Sequence, residues 1–138
     1  MRHIERTKCL AYVIDVSGAN KDPIGDLKAL VNELMLYDPL LAAKPALVIA
    51  NKMDAKGALE GVKKLRSASV LPVIEVSAKE KIGIGQAVDA LRFVLEARQR
   101  EEDKILKATL EAKEQELESI LTHKNLTHKK SRALNSQQ

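Results

Sequence analysis

Three short, almost unbroken apolar runs constrain this chain more than anything else in it: LAYVIDV (10–16), ALVIANK (46–52) and LPVIEVSA (71–78). A strand with one wet face alternates apolar and polar residues. Near-continuous runs instead suit strands covered on both faces, as in a parallel sheet. Helical patterns separate the runs. In DPIGDLKALVNELMLYD, Leu27, Leu30, Val31, Leu34 and Met35 recur at helical spacing, and Asp22 or Pro23 opens the segment. ALEGVKKLRSA repeats the pattern more thinly with Leu59, Val62 and Leu65, and a third stripe follows the last run at Val88, Leu91, Val94 and Leu95. Strand alternating with helix implies right-handed crossovers and an open parallel sheet, so the expected class is α/β with three parallel strands and flanking helices. The sequence of 138 residues suffices for one modest core and shows no internal repeat.

Composition narrows the function. Aromatic residues make up 2% of the chain, which argues against recognition by base stacking or an aromatic cage. A net charge of +4, with signs mixed along most of the length, permits an anionic partner without demanding one. The lone Cys9 excludes an intrachain disulfide, fits a reducing compartment, and reads as a small buried hydrophobe beside a strand. No apolar stretch approaches the roughly 20 residues of a membrane span, and no signal peptide precedes the first strand. The expectation is a soluble, intracellular protein.

The two ends differ from the middle. Residues 1–8, MRHIERTK, look like the last turns of a helix running into a strand. Beyond Arg98 the helical pattern continues over 99–122 as Glu-, Lys- and Gln-rich sequence with a thin stripe of Leu106, Leu110, Leu117 and Leu121. A solvated, extended helix is the better reading than a partner-seeking one. From His123 to residue 138 the chain carries Lys124, Lys129, Lys130 and Arg132 and no acid, which predicts a basic, disordered tail. His123 and His128 have no companions at metal-site spacing.

Chemistry concentrates at two predicted strand ends. Ligands of open parallel sheets bind beyond the carboxyl ends of the strands. Asn51, Lys52 and Asp54 follow ALVIA directly, with Met53 between them contributing backbone. A carboxylate there accepts two adjacent in-plane donors, such as guanine N1–H and its exocyclic amine; adenine presents an acceptor at N1 and is repelled. Lys52 can lay its four-carbon stem along a base face, and Asn51 can bond the base edge and tie neighbouring loops. At the next strand end, Ser77 can brace the loop, the Ala78 N–H can meet a base carbonyl, and Lys79 can flank the base opposite Lys52. Taken alone, Asn51 and Asp54 would be read as turn formers. The glycines of GIG at 83–85 read as a turn opening the last helix rather than as a dinucleotide fingerprint.

N-K-x-D followed by S-A-K at the next strand end resembles the guanine-recognition motifs of P-loop GTPases. The flanks narrow the resemblance: RHIERTK, then VIDVSG, then an L-x-x-E-L-x-x-Y-D-P-x-L helix and K-P before the second strand. Together they look like the Obg family of ribosome-associated GTPases over residues 1–98. The resemblance implies a partial G domain and GTP or GDP as ligand. It assigns the nucleotide to Asn51, Lys52, Met53, Asp54, Ser77, Ala78 and Lys79, and it implies a role in assembly of the large ribosomal subunit. The family also needs a G-x-x-x-x-G-K-[ST] loop, which this sequence does not contain, and a threonine-bearing switch and a D-x-x-G magnesium motif; the resemblance places all three before Met1. The resemblance therefore implies the C-terminal half of an Obg-type G domain, through truncation or a partial gene model rather than a genuine internal start. Mg²⁺ is expected only together with a complementary N-terminal half. The expected partners are guanine nucleotide, that N-terminal half, and the ribosome or ribosomal RNA, which the basic tail would meet through phosphates unless it is merely solvated. The competing reading is a free-standing, non-catalytic module that binds a partner through its sheet edge or tail. Many organellar relatives end near the G domain, which implies a mitochondrial or other organellar compartment over a cytoplasmic one.

Overall fold

The computed structural model describes residues 7–136. The expected helix end at 1–8 falls almost wholly outside them. The chain divides into two units, Met1–Arg98 and Gln99–Gln138.

The first unit is the α/β part. Strands β1 (Leu10–Asp15), β2 (Ala46–Asn51) and β3 (Val73–Glu75) form one parallel sheet in the order β1-β2-β3. Helix α1 (Pro23–Tyr37) and the short α2 (Pro39–Ala42) join β1 to β2, α3 (Ala58–Ala68) joins β2 to β3, and α4 (Ile84–Asn135) follows β3. Side chains alternate across a strand, so Tyr12, Ile14, Val48 and Ala50 share a face. They form one core with Leu27 of α1 and Ala58, Val62 and Leu65 of α3. Fully buried Leu47 belongs to the opposite face.

Local chemistry accounts for the helix starts. The Asp22 side chain accepts from the Gly25 N–H at 2.9 Å, with Pro23 in the first turn, where its missing N–H costs nothing. Asp38 and Pro39 repeat the device and produce α2, an element not anticipated from periodicity. Gly83, at φ 79°, opens α4 as the glycine reading expected; a Cβ there would stand 2.3 Å from the Glu75 carbonyl.

Three expectations change. The helical stripes are narrower than the hydrophobic pattern: Leu27, Val31 and Leu34 pack against the core, whereas Leu30 and Met35 flank the stripe and stay exposed, as do Leu59 and Val88. The strands are not all covered on both faces. β1 is an edge strand whose side chains alternate buried and exposed, and Val13 is 55% exposed. The basic segment expected to be disordered continues α4 through Asn135. Residues 123–135 include no proline or glycine, so no strong helix breaker terminates the helix there. The described residues of the second unit are all exposed.

Candidate functional site

Parallel register brings the polar ends together. β1 and β2 pair with Asp15 opposite Asn51, and β2 and β3 pair with Ala50 opposite Glu75. All three strands therefore release their chains at one edge of the sheet, where the loops after β2 and β3 are bonded to each other. The Met53 N–H donates to the Val76 carbonyl at 3.2 Å. The Ala78 N–H donates to Asn51 Oδ1 at 3.1 Å. The Ser77 hydroxyl donates to Asp54 Oδ1 at 2.6 Å and accepts from the Glu80 N–H at 3.2 Å. Ser77 is buried and pairs in both directions with Ile82, which closes the loop.

The structure thus bonds the loop of Asn51, Met53 and Asp54 to the loop of Ser77 and Ala78, with Lys52 and Lys79 on the same two loops. Asn51 ties the loops. The Ala78 N–H, expected to aim at a base carbonyl, is taken by Asn51 here. Ser77 braces its own loop and also grips Asp54. Met53 contributes its backbone and packs partly against the core. Lys52, Asp54, Ala78 and Lys79 are exposed, so the residues form an open shelf.

The electrostatics favour an ionised carboxylate on that shelf. The Ser77 hydroxyl holds the Asp54 carboxyl below its ordinary range against a desolvation that pushes upward, and Lys79 and Lys52 add attraction. Lys52 has a left-handed backbone, φ 71°, which side-chain-bearing residues seldom adopt. Its Nζ lies 2.9 Å from Asp15 Oδ2. Asp15 was missed in the sequence. It sits in VIDVSG as the last residue of an apolar run, and only its position beside Asn51 in the sheet shows that it faces Lys52.

Among the described residues no three His, Cys, Asp or Glu side chains are grouped to hold a metal ion. No helix among them is long and apolar enough to cross a membrane.

Comparison with known proteins gives the site its context. No family model matches the chain. The chain is 43% identical over 91 residues to GTPase Obg of Desulforudis audaxviator, covering 64% of this chain and 21% of that protein. It is 36% identical over 121 residues to GTPase Obg of Alkaliphilus oremlandii, covering 85% and 28%. With GTPase Obg of Heliobacterium modesticaldum the identity is 49% over 67 residues, 48% and 15% of the two chains. The chain spans between 15% and 28% of the length of these relatives. A parallel α/β sheet, polar loops bonded together at its carboxyl edge, and this shared sequence converge on one assignment: the chain belongs to the Obg family of GTPases.

Proposed function

We propose that the shelf formed by Asn51, Lys52, Met53, Asp54, Ser77, Ala78 and Lys79 binds the guanine base of GTP or GDP. One observation carries the reading: Asp54 and Asn51 each bond across to the loop after β3, so two strand ends act as one rigid platform with an ionised carboxylate at its surface. Guanine places two donors side by side for that carboxylate, and adenine does not. Lys52 and Lys79 flank the place where the base lies. The relatives are called GTPases, and on the same reading the wider role is GTP hydrolysis in assembly of the large ribosomal subunit, with the ribosome or its RNA as partner. The phosphates and Mg²⁺ need a loop that this sequence lacks, so their cradle is assigned to a complementary N-terminal half.

An isotope-labelled chain titrated with GDP tests base recognition. The amides of Asp54, Ser77 and Ala78 are expected to shift saturably at roughly millimolar GDP, because the phosphates stay in water. ADP at the same concentrations should leave them in place. Equal shifts with both nucleotides, or none with GDP, would remove the base site.

The module reading has its own support. Val13 on the edge strand is exposed, and a groove of about 660 Å³ beside it is lined by Val13, Leu30, Leu34 and Tyr37 among others. An open, apolar sheet edge invites pairing with another chain. The isolated chain should bind a hydrophobic dye and self-associate, and Val13→Lys should reduce both. Loss of association in that variant together with absent GDP shifts would favour the module; a chain that stays monomeric and dye-free counts against it.

A further inference from the structure

Lys52 is aimed by a residue outside its own loop. A lysine stem has four rotatable carbons and, left in water, samples many rotamers. Here its ammonium meets Asp15 Oδ2 at 2.9 Å, and Asp15 makes further hydrogen bonds of its own. The other carboxylate oxygen, Oδ1, accepts the Ser17 N–H at 2.8 Å. The Asp15 carbonyl accepts from Asn20 Nδ2 at 2.6 Å, and the same amide group reaches Asp26 Oδ2 at 2.8 Å. β1 therefore ends in a turn that bonds both the carboxylate and the backbone carbonyl of Asp15, beside the strand end from which Lys52 emerges with its unusual backbone.

We propose that Asp15 is a positioning residue for guanine-nucleotide recognition: it fixes the Lys52 ammonium so that the lysine stem lies extended along the shelf and presents its methylenes to the face of the base. The inference rests on the base-site reading above and adds a third strand end to it. Lys52 is also the chief reason the Asp15 carboxyl is held below its ordinary range, which keeps that carboxylate ionised at neutral pH. The opposing view is that of an ordinary exposed ion pair, since the side chains are 56% and 35% exposed and such pairs contribute little. The difference lies in the Asp15 carboxylate having a second partner, the Ser17 N–H, that does not depend on Lys52.

The test uses the full 138-residue chain and GDP, with affinity read from the Asp54 and Ala78 amide shifts. Asp15→Asn is expected to weaken GDP binding about threefold, the upper part of the range for exposed pairs. Asp15→Glu should recover part of the loss. Lys52→Met keeps the stem and removes the ammonium, so Asp15→Asn should have no further effect in that background; a general structural disturbance would act equally in both. Unchanged or tighter binding in Asp15→Asn, or an equal loss with and without the Lys52 ammonium, overturns the proposal. Asp54→Asn serves as the control. If it leaves GDP binding intact, the base site itself fails and this inference falls with it. If it weakens binding while Asp15→Asn does not, only the positioning role is lost.

Discussion

Asp54→Asn should weaken GDP binding by at least about tenfold while improving the relative affinity for xanthosine diphosphate. The substitution preserves size and exchanges one acceptor oxygen for an amide donor. Guanine then meets a donor with a donor, whereas xanthine, which carries a carbonyl in place of the exocyclic amine, gains a partner. The Ser77 hydroxyl can still donate to the remaining carbonyl oxygen, so the platform itself should survive. The wild-type carboxyl sits below its ordinary pKa, so its acceptor form is complete at neutral pH and is lost only as pH falls through that lowered value. Competition between GDP and xanthosine diphosphate, followed on the amides of the two loops, reads the preference directly. Equal GDP affinity in wild type and variant would take Asp54 out of the site.

Leu65→Ala should be the most destabilising single truncation discussed here, costing about 2–5 kcal/mol. Leu65 is 0% exposed in the core shared by β1, β2, α1 and α3, where a lost side chain leaves a cavity that rigid neighbours cannot close. The matched control is Leu59→Ala on the same helix. Leu59 is 69% exposed, and its removal should change stability by no more than about 0.5 kcal/mol. Hydrogen exchange at the β2 amides in urea measures both without interference from the signal of α4. Comparable losses in the two variants would mean that α3 packs by another face.

The same pair of leucines marks what periodicity can and cannot reveal. Leu59, Val62 and Leu65 satisfy one helical pattern, yet only Val62 and Leu65 meet the sheet. Leu30 and Met35 likewise belong to the hydrophobic pattern of α1 and remain outside the core. A helix touches a sheet along a line narrower than its apolar arc, and the line is chosen by how the helix docks. The exposed face of β1 has a related cause: the run LAYVIDV is apolar apart from Asp15, and its position at the sheet edge leaves Val13 uncovered.

The sequence by itself determined the three parallel strands, the longer helices between them, and the polar residues at two strand ends, because these follow from local hydrophobic periodicity and from side-chain chemistry placed at strand ends. Tertiary structure decided how those residues are used. Register set Asp15 beside Asn51 and within reach of Lys52, turned the Ala78 N–H onto Asn51, and put Ser77 on Asp54. Each of these contacts joins residues on different strands or loops. A hydrogen bond or ion pair depends on distances of a few tenths of an ångström, which no one-dimensional pattern specifies until the strands are paired.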